Sequence, residues 1–300
     1  MMHLRALAAV LSLALIVGGC KASDPPTLRW SELEKMPLPR SGLHISYGPG
    51  SEQWGELRMP AGGAGGSVPV MIMIHGGCWQ SEFTSTYFTR LAAWFTAQGY
   101  ATWTIEYRRI GNDGGGWPGT FLDVAAATDK LRELARDHPI DINRVYAAGH
   151  SAGGQLALWL ASRGKSTTRD EIFVKDPVRI RGVLGLAAIT NLYTYRVGPP
   201  NSCNSSVDQL LGGIPETVPA RYAATSPLQR LPLGVPQVFI QGARDPIVEP
   251  ASVAKYIEAA KRAGDDATLL PLPQAGHFET SVPLPASEQA LREAIRLLSR

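Results

Sequence analysis

The stretch RVYAAGHSAGGQLALWLASR, residues 144–163, decides the fold. It opens on apolar, β-prone residues, passes through Gly-His-Ser-Ala-Gly, and continues with apolar residues at helical spacing. The pattern predicts a strand ending near Gly149, a tight turn carrying Ser151, and a helix over AGGQLALWLAS. Gly149 and Gly153 lack the side chains that would clash in a sharply bent turn, so the Ser151 hydroxyl would stand exposed above a sheet. The amide of Ala152, at the helix start, could then donate to an oxyanion. Without that context the five residues would be only a Gly-rich connection; the strand before and the helix after are what make the motif specific.

Outward from this stretch the chain alternates between two kinds of segment. VPVMIMIHGG (residues 68–77) is an apolar run with no polar face, as expected of a strand buried on both sides of a parallel sheet. STYFTRLAAWFTAQGY (85–100) has helical spacing, ATWTIEYR (101–108) returns to β-type residues, and FLDVAAATDKLRELARDHP (121–139) is helical up to its proline. After 144–163 come a strand within RIRGVLGLAA (179–188) and a Pro/Gly/Ser-rich stretch over about 190–236. Strand PQVFIQG, helix PASVAKYIEAAKRAG, strand ATLLPLP and a last helix from about Pro285 complete the chain. Alternating β and α elements imply a mostly parallel sheet covered by helices on both faces, the α/β class. In such sheets ligands bind at the carboxyl ends of the strands, where Ser151 falls.

With HGGCW at residues 75–79 added to GHSAG at 149–153, the chain from about Ser41 onward resembles the α/β-hydrolase superfamily. The likeness is nearest to the esterase and lipase branch that includes kynurenine formamidase-like and hormone-sensitive-lipase-like enzymes. The resemblance implies a Ser-Asp/Glu-His order along the chain. Ser151 would be the nucleophile. Asp245 follows the apolar strand VFIQG, and His277 follows the next strand, so both belong to carboxyl-end loops and would complete the triad. Glu249 is the rival acid. Gly77, Cys78 and Ala152 would supply oxyanion-hole amides, and His75 would be a packing residue. Trp79, Trp117 in the loop NDGGGWPG, Phe278 and Tyr193 offer aromatic surface for an acyl group, an aromatic leaving group or a sugar. The 190–236 stretch would be a lid-like insertion.

The 300 residues, 44% apolar and 18% charged, allow one large α/β domain or two small ones. The formal charge of +3, without a Lys/Arg-rich run, argues against a nucleic-acid partner. The histidines lack helix-paired spacing and the cysteines form no Cys-x-x-Cys pair, so no metal site is expected, and without a Walker-type phosphate loop or a Rossmann fingerprint no cofactor is expected either.

MMHLRALAAVLSLALIVGGC (1–20) has a basic residue near its start, then an apolar run too short to span a bilayer comfortably, then Gly18 and Gly19. It reads as a signal peptide over 1–19. Its ending resembles the bacterial lipobox, which implies lipidation of Cys20 and anchoring to the bacterial cell envelope. Residues 20–40 read as a tether and 41–300 as the hydrolase domain. With Cys20 consumed by lipid, an exported chain keeps one pair, Cys78 and Cys203, placed by the topology over one face, and a disulfide between them is expected.

The substrate expected is a small-molecule or polysaccharide-linked carboxylic ester, with short acyl, acetyl or feruloyl groups. N-formylkynurenine, cleaved by an arylformamidase, is an alternative that the export signal disfavours. A non-catalytic, envelope-anchored binding protein on the same fold is the other alternative, disfavoured because no triad member is missing.

Overall fold

In the computed structural model, which describes residues 26–62, 66–200 and 203–300, the apolar runs pair into one sheet. Its strands are β1 (Leu43–Ser46), β2 (Trp54–Arg58), β3 (Val68–Ile74), β4 (Ala101–Ile105), β5 (Ile140–His150), β6 (Val183–Leu186), β7 (Gln237–Gly242) and β8 (Ala267–Leu272). Their order is β1-β2-β4-β3-β5-β6-β7-β8. The pairings among β3 to β8 are parallel, and β1 and β2 form an antiparallel edge. This is the mostly parallel α/β-hydrolase sheet that the sequence implies.

β3 explains why such strands read as unbroken apolar runs. Successive side chains point to opposite faces, and each face is covered. Val70, Ile72 and Ile74 enter one core with residues of helices Gly119–Asp129, Ala152–Ser162 and Pro250–Arg262. Met71 and Met73 enter the other, with helices Thr89–Ala97 and Pro285–Leu298. All five of these side chains are fully buried.

Several expectations are revised. The helix foreseen over 121–139 is two, Gly119–Asp129 and Leu131–Asp137. Asp129 at the break has its carboxylate drawn sideways, to the Arg163 guanidinium and to the Val178 N–H at 2.8 Å. The short edge strands β1 and β2 were not foreseen, because β1 is mostly exposed and carries no clean apolar alternation. The 190–236 stretch, expected as a lid-like insertion, carries the helices Leu192–Tyr195, Asn204–Leu211 and Pro219–Thr225. Leu192, Val207, Leu210, Leu211 and Tyr222 are buried in the larger core, so it is a packed cap. The tether expected over 20–40 is docked in its described part: Trp30–Leu33 is a helical turn, and Leu33 is fully buried in the second core. The signal peptide and Cys20 lie outside the described residues.

Candidate active site

β5 ends at His150, and Ser151 leaves it with φ 56° and ψ −119° before helix Ala152–Ser162 begins. A non-glycine residue held there stores about 1–3 kcal/mol of strain and persists only where its surroundings over-determine it. They do so here. The Ser151 N–H donates to Leu186 O at 2.9 Å, and Ser151 O accepts from Gly154 N at 3.0 Å and Ile189 N at 3.2 Å. A Cβ on Gly149 would stand 2.1 Å from Gly153 O, and one on Gly153 would stand 2.1 Å from Ile74 O. The glycines of the motif are therefore required by backbone contact.

Asp245 sits in the loop after β7 with both carboxylate oxygens engaged. Oδ1 accepts from the N–H groups of Ile247 at 2.8 Å and Val248 at 2.9 Å. Oδ2 accepts from Gln241 Nε2 at 3.0 Å and from His277 Nδ1 at 2.8 Å. With Nδ1–H committed to the carboxylate, Nε2 of His277 is left as the acceptor. Glu249, the rival acid, is exposed and lines a neighbouring cleft instead. Among the described residues no hydrogen bond joins Ser151 Oγ to the His277 ring; such bonds are often loose before substrate arrives.

The loop after β3 holds three consecutive positive-φ residues, Gly77 (101°), Cys78 (55°) and Trp79 (56°). A Cβ on Gly77 would meet Phe83 at 2.2 Å, and one on Gly76 would lie 3.0 Å from Ser151 Cβ, so this loop packs directly on the elbow. Its shape is held by Gln80 N–H to Gly77 O at 2.9 Å and Ile110 N–H to Trp79 O at 2.8 Å. The expected disulfide is present: Cys78 and Cys203 have Cα atoms 5.0 Å apart, joining the loop to the cap. Gln80 Nε2 donates to Ser206 Oγ at 2.8 Å beside it. Among the described residues, the N–H groups of Gly77, Cys78 and Ala152 donate to no protein acceptor.

Two buried networks support these loops, and the sequence reading missed both. In the first, Gly76 N–H donates to Tyr87 Oη at 2.7 Å, and Tyr87 lies 2.8 Å from His150 Nδ1. His150 Nε2 is 3.2 Å from the His277 carbonyl, an acceptor only, so Nε2 carries the proton and Tyr87 O–H donates to Nδ1. Burial, reinforced by the neighbouring His277, pushes His150 well below the usual imidazole range and keeps it neutral. Burial raises the Tyr87 phenol and keeps its proton. One directional chain thus ties the loop after β3, the turn at Ser151 and the His277 loop together. In the second network, His75 stacks on Tyr107, with Nε2 2.7 Å from Glu106 Oε1. Arg109 reaches Glu106 Oε1 and Glu52 Oε2, each at 2.6 Å. Burial pushes the Glu106 carboxyl up, but His75 and Arg109 outweigh it and hold it below its ordinary value. His75 is structural, as expected. Tyr87 and Glu106 carry no motif, and only the tertiary contacts give them these partners.

The aromatic expectations divide. Trp79 is fully buried with its Nε1–H on Gln155 Oε1 at 3.2 Å, so it belongs to the core and not to a substrate surface. The left-handed turn at Trp79 tucks the ring under the loop. Trp117 is half-buried, bonded through Nε1–H to Glu171 at 3.0 Å and covered by the Arg221 guanidinium. Tyr193 packs on Tyr222 in the cap. Phe278 stands beside His277, ring centroids 5.2 Å apart. A cleft of about 460 Å³ opens nearby, lined by Ile189, Asn191, Tyr195, Ile247 and Glu249 among others. Two of its lining residues bond to the site through their backbone, Ile189 N–H to Ser151 O and Ile247 N–H to Asp245 Oδ1, while Ser151, Asp245 and His277 are not among its walls. Among the described residues no cluster of three His, Cys, Asp or Glu could hold a metal ion.

Comparisons with known proteins agree with this architecture. The BD-FAE family model matches residues 56–258. Esterase LipC of Mycobacterium tuberculosis is 25% identical, the alignment covering 86% of this chain and 67% of LipC. A truncated carbohydrate esterase from gut microbiota superposes with a TM-score of 0.73 at 17% identity, over 88% of this chain and 98% of that one. A bifunctional GH43-CE protein of Bacteroides eggerthii gives a TM-score of 0.70 at 21% identity, over 85% of this chain; the match spans only 37% of that longer protein. At these identities the structural likenesses establish the fold.

Proposed function

Because the chain belongs to the BD-FAE family and folds as an α/β-hydrolase, we propose that it is a serine carboxylesterase acting through Ser151, His277 and Asp245. The observation that carries this reading is the 2.8 Å Asp245–His277 bond, which leaves His277 Nε2 as a base, in a site whose serine is held on a strained turn. Ser151 Oγ attacks the ester carbonyl carbon while His277 Nε2 takes its proton. The tetrahedral oxyanion is received by the N–H groups of Gly77, Cys78 and Ala152, and one such donor is worth about 3–4 kcal/mol. His277 gives the proton to the departing alcohol, leaving an acyl-serine. Water then repeats the sequence, His277 again acting as base, and the acid leaves with Ser151 restored.

The substrate we propose is a carboxylic ester with a short acyl, acetyl or feruloyl group, on a small alcohol or a polysaccharide. The carbohydrate esterase among the structural relatives supports a sugar-bearing leaving group. A panel of aryl esters of graded acyl length, acetylated xylan and N-formylkynurenine tests this. The esters are expected to exceed N-formylkynurenine in kcat/KM by at least about 100-fold, since the cost of missing complementarity in a polar pocket runs to several decades. Preference for the formamide would replace the ester reading.

We further propose that the chain is exported and anchored by lipid at Cys20. The Cys78–Cys203 disulfide supports this, because such bonds persist in oxidising compartments. Wild-type protein is expected to incorporate labelled fatty acid and sediment with membranes, and Cys20→Ala to do neither. A soluble wild type with unmodified Cys20 would overturn the anchor.

A further inference from the structure

The docked N-terminal segment touches the His277 loop and the segment that follows the loop after β3. The Leu28 N–H donates to Glu279 Oε1 at 2.6 Å, and Glu279 Oε2 accepts the Gly276 N–H at 3.0 Å. Gly276 and Glu279 flank His277, and a Cβ on Gly276 would stand 2.9 Å from Thr27 Cβ, so the segment lies directly on the His277 loop. At its other end the Arg90 guanidinium donates to the carbonyls of Pro37, at 3.0 Å, and Met36. Leu33 is fully buried between these two attachments.

Trp30, half-buried, occupies the middle of this strap. Its ring meets Phe83 edge-on at 5.2 Å, Tyr87 edge-on at 5.2 Å and Phe278 at 5.7 Å. Each contact leads to a different part of the site. Phe83 packs against Gly77 of the oxyanion loop. Tyr87 holds the Gly76 amide and His150, the neighbour of Ser151. Phe278 follows His277 in sequence and packs on its ring. None of these three aromatics is carried by the strap; the His150 ring also meets Tyr87 and Phe278, and Trp30 adds Phe83 to that group.

We propose that residues 27–38 are a strap that positions the catalytic loops, and that Trp30 is a positioning residue setting the His277 and oxyanion loops against Ser151. The proposal rests on the triad reading above. It assigns to a segment ahead of the first strand a part in catalysis rather than only a link to an anchor. The mechanism is geometric. Reacting groups act efficiently only when held in near-attack geometry, and a displacement of about 1 Å can cost on the order of 100-fold in rate. The loop carrying Gly77 packs on Ser151 and the His277 loop on its neighbour His150, and both loops also meet Trp30, through Phe83 and Phe278.

The test uses the full-length chain and p-nitrophenyl acetate. Trp30→Ala is expected to lower kcat by about 10- to 100-fold with KM changed less than about threefold, the signature of lost transition-state positioning. Trp30→Phe is expected to recover most of the rate, because a ring remains to meet Phe83, Tyr87 and Phe278. Rates are referred to folded protein, measured by the circular dichroism and melting of each variant. If Trp30→Ala does not fold, Trp30→Leu, which keeps apolar bulk and loses the ring, takes its place with the same expected loss. A kcat within twofold of wild type in the folded variant, or a loss that Trp30→Phe does not repair, overturns the proposal. Ser151→Ala in the same assay separates this from failure of the triad. A dead Ser151→Ala beside a fully active Trp30→Ala removes the strap alone, whereas an active Ser151→Ala removes the triad on which both stand.

Discussion

Ser151→Ala is expected to lower kcat on p-nitrophenyl acetate by about 10⁴- to 10⁶-fold, the range seen when a serine hydrolase loses its nucleophile. The substitution deletes one oxygen and leaves the backbone that forms the turn. Alanine at φ 56° bears the same strain as serine, and the N–H of residue 151 keeps its bond to Leu186 O, so melting temperature should change little. The loss would therefore lie in the chemical step, with circular dichroism unchanged. A variant keeping more than about a tenth of wild-type kcat would remove Ser151 from the role of nucleophile, given the size of the effect such a deletion has elsewhere.

Asp245→Asn is expected to cost about 10⁴-fold in kcat by fixing the wrong tautomer of His277. The carboxylate now accepts two backbone N–H groups on Oδ1, and Gln241 Nε2 and His277 Nδ1 on Oδ2. Asparagine has one acceptor oxygen. Turned to satisfy Ile247 and Val248, it presents its NH₂ to His277 Nδ1, which must then accept. The imidazole proton moves to Nε2, where it blocks abstraction from Ser151. Turned the other way, the NH₂ faces two backbone donors and leaves both unsatisfied, at about 1–3 kcal/mol for each buried group. Either outcome damages the enzyme. Glu249→Gln serves as the control: exposed and apart from His277, it is expected to change kcat by less than about threefold, as surface substitutions usually change little. A damaging Glu249→Gln with a mild Asp245→Asn would transfer the acid role.

The strap and the disulfide share a physical theme. Both fasten the loop after β3, one from the N-terminal segment through Phe83 and Tyr87, the other from the cap through Cys203. A loop with three consecutive left-handed residues needs such fastening, because its strain is kept only by what surrounds it.

Local chemistry made part of this legible in the sequence alone. The strands of the sheet's centre are buried on both faces, so β3 and the second half of β5, from Val145, had to be written largely in apolar residues, and their period separates them from the helices between them. The elbow was legible because its turn admits only glycine at 149 and 153, a demand met within five residues. Asp245 and His277 could be placed because each follows an apolar strand at the same end of a parallel sheet, and the resemblance supplied their order. The places of Trp79 and Trp30 and the helices of the 190–236 cap escaped the sequence reading for a common reason. Whether an aromatic ring faces substrate, core or a neighbouring loop depends on residues far away in the chain, such as Gln155 for Trp79 and Phe278 for Trp30. The cap mixes helical residues with Pro, Gly and Ser, and its helices gain stability by burying Leu192, Val207 and Tyr222 against the core, a tertiary term that local propensity does not carry. The same limit applied to the tether, the Tyr87–His150 chain and the His75–Glu106 pair. Sequence alone determined the layered fold and the chemistry available at the strand ends, because periodicity and glycine placement are local. Tertiary structure alone decided which supports surround that chemistry, because a hydrogen bond or ring contact across 60 to 250 residues leaves no local mark.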